Sequence, residues 1–203
     1  MGPKLPDSVE GLRAAGNQSF RSGQYPEASA LYGRALRLLQ ARGSSDPEEE
    51  SILYSNRAAC HLKDGNCTDC IKDCTSALAL VPFSMKPLLR RASAFEALER
   101  YPLAYVDYRT VLQIDNSVML ALEGVSRALC HLVLKQYKEA VKDCTAALKL
   151  DEKNVKAFYR RAQAYKALKD YKSSLADISS LLQIEPRNGP AHKLQQEVNQ
   201  NLK

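Results

Sequence analysis

The chain has 203 residues, of which 45% are hydrophobic and 26% are charged, and its 29 Lys and Arg against 23 Asp and Glu give a formal net charge of +6. This composition is typical of a globular protein and excludes collagen-like and wholly disordered chains. No apolar run approaches the roughly 20 residues of a membrane-spanning helix, so we expect no membrane insertion.

The positive charge is concentrated in the second part of the chain. Residues 1–120 hold 14 basic and 14 acidic side chains, whereas residues 121–203 hold 15 basic and 9 acidic ones. Such an excess suits an anionic partner, although the solvated surface of an ordinary helical protein has a similar pattern. Because no aromatic and basic signature of RNA recognition accompanies it, we expect no nucleic-acid partner.

The chain overlays itself after a shift of 70 residues. Residues 72–75 and 142–145 both read Lys-Asp-Cys-Thr, and residues 90–92 and 160–162 both read Arg-Arg-Ala. A shorter period near 34 residues lies within this shift and is marked by two series of small residues. The first series is Gly16, Ala58, Ala92, Ala128 and Ala162, and the second is Ala28, Cys70, Ala104, Ala140 and Ser174. Such series indicate places where two helices approach each other closely.

In chain order, the period predicts five pairs of amphipathic helices. The pairs cover residues 9–42, 51–84, 85–118, 121–154 and 155–188. A tyrosine marks the predicted turn in four of the pairs, and in the fourth pair it is Tyr137. Residues 189–203 have apolar residues at helical spacing and predict a C-terminal capping helix. Since neither helix of a pair can bury its apolar stripe alone, we predict an all-α fold, an α-solenoid of stacked pairs.

This 34-residue pattern resembles the tetratricopeptide repeat, and the resemblance covers residues 9–186. We therefore expect residues 1–118 to form a three-repeat domain. Residues 119–203 are expected to form two further repeats and the capping helix, stacked continuously on the first domain.

One group of cochaperones within that family grips the free C-terminus of a peptide with a carboxylate clamp. Its pattern has Lys or Arg and then Asn four residues later on the first helix, Asn on the third helix, and Lys and Arg four residues apart on the fifth. This sequence matches all five positions with Arg13, Asn17, Asn56, Lys86 and Arg90. The resemblance implies that these residues bind the terminal carboxylates, with Arg13 standing where Lys is commoner.

The residue types fit such a ligand. Residues four apart on a helix share a face, so Lys86 and Arg90 can point in one direction, as can Arg13 and Asn17. A C-terminal Asp presents a main-chain and a side-chain carboxylate, which charged donors bind more strongly than neutral donors do. The alternative is that all of these are ordinary exposed residues of helices.

A second, incomplete cluster follows at the 70-residue shift. Lys156 and Arg160 reproduce Lys86 and Arg90, whereas Ser126 stands in the place of Asn56. We predict at most a weak second anion site at Lys156 and Arg160.

The two clusters together resemble those of the cochaperones of mitochondrial protein import, in a shortened arrangement. This resemblance implies an adaptor that binds the acidic Glu-Glu-Val-Asp tails of cytosolic heat-shock chaperones, the seventy-kilodalton class before the ninety-kilodalton class. It also implies mitochondrial precursor proteins as clients, and a cytoplasmic location with peripheral association with the mitochondrial outer membrane. The alternative function is a general repeat scaffold whose partner needs no free carboxylate.

The cysteines and histidines do not indicate a metal site or a catalytic site. Cys67 and Cys70 form a CxxC pattern with Cys74 and His61 nearby, but Cys70 and Cys74 occupy packing positions of the repeat. No phosphate-binding glycine loop, HExxH motif or nucleophile elbow is present. We therefore expect no metal, no cofactor and no catalytic residues.

Overall fold

A computed structural model describes residues 8–43 and 46–202. These residues form ten α-helices and no strand, which confirms the predicted all-α fold class. The helices are α1 Val9–Arg21, α2 Tyr25–Ala41, α3 Pro47–Lys63, α4 Cys67–Leu80, α5 Met85–Ala97, α6 Tyr101–Ile114, α7 Met119–Leu150, α8 Val155–Ala167, α9 Tyr171–Ile184 and α10 Gly189–Gln200. The chain divides into two compact units at Leu129 and Cys130, inside α7.

The first unit contains three helix pairs, α1 with α2, α3 with α4, and α5 with α6. Each pair turns at a residue with a left-handed backbone, namely Gly23 (φ 76°), Gly65 (φ 76°) and Glu99 (φ 57°). Glycine adopts this conformation without steric strain, whereas a side chain such as that of Glu99 has to be held there by the surrounding packing. The turns let the second helix of each pair fold back along the first.

Small residues allow the helices to pack closely, as the two series predict. Eight members of the series are fully buried: Ala28, Ala58, Cys70, Ala92, Ala104, Ala128, Ala162 and Ser174. A Cβ atom on Gly16 would lie only 2.7 Å from Cε1 of Tyr32, so a larger residue in α1 would push α2 away. In the same way, a Cβ atom on Gly124 of α7 would overlap the ring of Tyr108 in α6.

Three arginine–aspartate pairs tie the first helix of a repeat to its second helix. The pairs are Arg57 with Asp73, Arg91 with Asp107, and Arg161 with Asp177, and each has two hydrogen bonds of 2.7–2.9 Å. All three aspartates are buried, and the bidentate geometry compensates their loss of hydration.

The fourth predicted pair differs from the prediction, because residues 119–150 form the single helix α7. The predicted turn before Tyr137 falls on Leu134, Lys135 and Gln136, which are good helix formers. Neither a glycine nor a capping side chain interrupts the helix there. Because the chain does not fold back, Ala140 is only half-buried, unlike the fully buried members of its series.

The second unit contains the pair α8 and α9 followed by α10. The pair turns at Lys169 (φ 62°), and the side chain of Asp170 caps α9 by accepting a hydrogen bond from the backbone N–H of Ser173. On α10, Leu194 and Val198 are buried in one cluster with Ala162 and Ile178 of the helix pair. This packing agrees with the predicted role of a capping helix.

The cysteines of the described residues are all free thiols. Cys60, Cys70 and Cys74 are buried between helices, and burial raises the pKa of Cys60 to about 11. Over residues 8–43 and 46–202, no group of three or more His, Cys, Asp or Glu side chains is arranged to hold a metal ion. None of the helices described there is both long enough and apolar enough to cross a membrane.

The continuity of α7 can be tested by glycine substitution. We expect Lys135→Gly to lower the free energy of unfolding by about 1 kcal/mol, because glycine is unfavourable inside a helix. Lys169→Gly is the matched control, since Lys169 holds the repeat-equivalent position in a turn with positive φ. It should raise the free energy of unfolding by up to about 1 kcal/mol. Urea denaturation measures both, and stabilisation by Lys135→Gly would show a turn in place of the continuous helix.

Candidate functional site

The first helices of the three pairs in the first unit line a groove of about 440 Å³. Four of the five residues predicted from the sequence lie along it: Asn17 from α1, Asn56 from α3, and Lys86 and Arg90 from α5. They meet there because the repeat places equivalent faces of α1, α3 and α5 side by side. The structure thus brings together residues that are up to 73 positions apart in the sequence.

Arg13 is the predicted residue that does not line this groove. Its guanidinium Nη1 lies 3.7 Å from Oε1 of Glu49, in the first turn of α3. An anionic ligand that used Arg13 would therefore compete with Glu49 for this cation.

A hydrogen bond from α2 fixes the orientation of Asn17. The hydroxyl of Tyr32 donates to Oδ1 of Asn17 over 2.7 Å. Burial raises the pKa of Tyr32 to about 12, so the hydroxyl remains a donor at neutral pH. Because the amide oxygen of Asn17 is engaged, its two N–H groups are the part of the amide that can bind a ligand in the groove.

Arg90 is a half-buried cation without a carboxylate partner among the described residues. Its Nη1 donates to the backbone oxygen of Ser55 at 2.7 Å and to the Ser55 hydroxyl at 2.6 Å. Burial lowers the pKa of Arg90 below its ordinary value, because the charged form loses hydration. Lys86, one turn earlier on α5, is exposed at the same groove. Together the two cations make one wall of the groove suitable for an anion.

Among the groove residues that the sequence analysis did not predict, three add charge or apolar surface. Arg21 follows Asn17 by four residues on α1, so its place on the same face could have been found from helical spacing. Phe20 and Ile52 add apolar surface, and Ile52 is 46% exposed beside the polar groups. The groove therefore combines cations and amide groups with apolar surface, which suits a peptide that carries both carboxylates and an apolar side chain.

The second unit has a groove of its own, of about 810 Å³, between α7, α8 and α10. Tyr137, Tyr159 and Lys166 are among the residues that line it, whereas Lys156 and Arg160 are not. Both of these basic residues are exposed on α8. Lys156 and Arg160 therefore do not line the groove of the second unit in the way that Lys86 and Arg90 line the groove of the first.

Comparison with protein families identifies the repeat. The model of the tetratricopeptide repeat matches residues 125–154 and 155–188. The first of these matches covers most of α7 and the turn after it.

Curated relatives align with the chain from end to end. The mitochondrial import receptor subunit TOM34 from Homo sapiens is 55% identical over 308 aligned residues, which cover 100% of this chain and 100% of the relative. At 203 residues, the present chain is the shorter of the two.

Two solved structures resemble the fold and contain chaperone peptides. The second TPR domain of the human RPAP3 protein, in complex with the HSP70 peptide SGPTIEEVD, has a TM-score of 0.51 and 28% identity, and covers 58% of this chain and 91% of that chain. The first TPR of Spaghetti (RPAP3), bound to the HSP90 peptide SRMEEVD, has a TM-score of 0.55 and 26% identity, and covers 62% of this chain and 95% of that chain.

The role of Tyr32 in orienting Asn17 can be tested without a ligand. We expect Tyr32→Phe to release the Asn17 amide, so that the heteronuclear NOE of its side-chain NH₂ group falls in NMR spectra. Tyr108→Phe is the matched control, because Tyr108 holds the equivalent position in the third repeat and donates to Glu96 instead. Both variants should lose about 1 kcal/mol of unfolding free energy from one hydrogen bond. An unchanged Asn17 amide in Tyr32→Phe would contradict the assigned role.

Proposed function

The chain belongs to the family of the mitochondrial import receptor subunit TOM34, and from this relationship we propose that it binds the acidic C-terminal tails of cytosolic heat-shock chaperones. It is a tetratricopeptide-repeat adaptor and not an enzyme. The groove of the first unit holds the tail, with Asn17, Asn56, Lys86 and Arg90 around the terminal carboxylates.

The observation that carries this proposal is Arg90. A half-buried guanidinium that lacks a carboxylate partner among the described residues has lost hydration without gaining a counter-charge. A carboxylate that enters the groove supplies this charge, and its hydrogen bonds to cations are about twice as strong as those between neutral groups. Ser55 holds Arg90 in place beforehand, so that little side-chain entropy is lost on binding.

The two peptide complexes support a tail as the ligand. Both peptides end in Glu-Glu-Val-Asp. The final Asp carries two carboxylates, which suits the cations Lys86 and Arg90, while the preceding Val suits the apolar surface at Ile52. The seventy-kilodalton class is the proposed main partner, and the ninety-kilodalton class is the second.

The remaining parts of the proposal rest on the family relationship. The adaptor supports delivery of precursor proteins to mitochondria, since the relative is named as an import receptor subunit. It works in the cytoplasm and associates peripherally with the mitochondrial outer membrane. Lys156 and Arg160 form at most a weak second anion site in the second unit.

A second candidate function is a scaffold that binds an internal segment of its partner. The ion pair of Arg13 with Glu49 favours this candidate, because it removes one of the three clamp cations from the groove. The apolar side chains of Phe20 and Ile52 would then dominate recognition. The two functions differ in whether the ligand needs a free C-terminus.

Calorimetric titration with a peptide ending Glu-Glu-Val-Asp tests the proposed function. We expect micromolar binding, about −8 kcal/mol, to the free-acid peptide, and at least tenfold weaker binding to its C-terminal amide. Lys86→Ala tests the same site. It should weaken binding of the free-acid peptide at least tenfold, because it removes one charge-assisted hydrogen bond of about 1.5–3 kcal/mol.

Lys156→Ala is the matched control, since it changes the repeat-equivalent lysine in the second unit. It should leave the affinity within twofold of the unsubstituted chain. Equal binding of the acid and the amide would favour the scaffold function. Loss of binding in Lys156→Ala but not in Lys86→Ala would place the ligand in the second unit and contradict the proposal.

A further inference from the structure

The arginine–aspartate pairs of the repeats differ in how the remaining guanidinium nitrogen is satisfied. In two pairs, Nη1 of the arginine donates to a threonine hydroxyl on the preceding helix. Arg91 donates to Thr75 at 3.2 Å, and Arg161 donates to Thr145 at 3.0 Å. The hydroxyl closes the space beside the guanidinium in both repeats.

The pair of Arg57 with Asp73 lacks this hydroxyl. The repeat-equivalent position on α2 is Gly33, five residues after Ala28, just as Thr75 follows Cys70 by five. A Cβ atom on Gly33 would lie 3.4 Å from Nη1 of Arg57, so the guanidinium faces the place where the threonine stands in the other repeats.

This missing side chain leaves an open pocket of about 330 Å³ between α2 and α3, which we call the arginine pocket. Gly33, Arg34, Arg37, Arg57 and His61 line it, together with Ser29 and Ala30. Nη1 of Arg37 would lie 3.7 Å from the same Cβ position, which places it within about 7 Å of Nη1 of Arg57. The pocket shares no lining residue with the groove of the first unit.

The charges in the arginine pocket are not balanced. Asp73 compensates Arg57 through two hydrogen bonds. The side chains of Arg34 and Arg37 form no hydrogen bond or ion pair within residues 8–43 and 46–202. Guanidinium groups that converge without a counter-ion repel one another, and an anion between them converts this repulsion into attraction.

A phosphate group matches this arrangement better than a single carboxylate. It carries nearly two negative charges and three acceptor oxygens, and planar arginine forks bind such oxygens in pairs. In the other two pairs a threonine hydroxyl occupies the place that Gly33 leaves open.

We propose that the arginine pocket binds the phosphate group of a phosphorylated side chain on a protein partner. The residues around the arginine pocket favour a phosphorylated side chain over an anionic membrane as the source of the phosphate. Glu48 and Glu50 lie in the first turn of α3, and Glu48 is exposed. They are near the pocket, because Gln40, one turn after Arg37 on α2, donates a hydrogen bond to Glu50. These carboxylates repel a broad anionic surface, whereas a single phosphorylated side chain reaches the pocket without meeting them.

NMR titration with N-acetyl-O-phosphoserine amide tests this proposal. The Nε–H resonances of Arg37 and Arg57 should shift in a saturable way, and N-acetylserine amide should cause no shift. Gly33→Thr restores the side chain found in the other repeats and should weaken binding at least tenfold. Arg37→Ala should weaken it by a similar factor.

Arg109→Ala is the control for charge alone, because Arg109 is exposed on α6 at the position equivalent to Gly33. It should leave the dissociation constant for the phosphoserine probe within twofold of that of the unsubstituted chain. Unchanged binding in Gly33→Thr and Arg37→Ala, with circular dichroism showing folded protein, would overturn the proposal. So would binding of phosphatidic acid vesicles that depends on Arg37 when the phosphoserine probe causes no shift, because the phosphate would then come from a lipid.

Discussion

The close contact of Tyr32 with Gly16 is the constraint on which the groove of the first unit depends. Only a residue without a Cβ atom lets the ring of Tyr32 lie against α1. From this position the hydroxyl reaches Asn17 and fixes its amide, so one packing contact both sets the spacing of α1 and α2 and orients a groove residue. A methyl group at Gly16 would disturb both, since packed interiors leave little room for an added atom.

The groove and the arginine pocket show two ways in which a repeat protein leaves a cation ready for a ligand. In the groove, Arg90 is held by the oxygens of Ser55 and has no carboxylate partner among the described residues. In the arginine pocket, Arg57 has its aspartate, but the threonine that closes the other repeats is replaced by Gly33. The arginine pocket depends on a single departure from a repeated contact, which leaves the fold intact because the neighbouring repeats keep theirs.

The helix α7 shows where local sequence prevails over repetition. The tetratricopeptide-repeat model matches residues 125–154, and the 70-residue shift predicts a turn before Tyr137. The residues at that turn are helix formers, and a left-handed backbone costs about 1–2 kcal/mol for any residue with a side chain. Glu99 and Lys169 adopt this backbone, and the packing of their helix pairs offsets the conformational free energy that it costs. Around Lys135 the side chains of α7 are mostly exposed, so no comparable burial would offset the cost of a left-handed backbone there.

The sequence by itself determined the fold class, four of the helix pairs and the face on which Asn17, Asn56, Lys86 and Arg90 lie, because periodicity records which side of each helix is buried. It did not determine which individual cations are paired or desolvated. The pairing of Arg13 with Glu49 and the desolvation of Arg90 depend on distances between helices. Only the tertiary structure decided these, since contacts across a helix interface depend on crossing geometry, which a linear spacing does not contain.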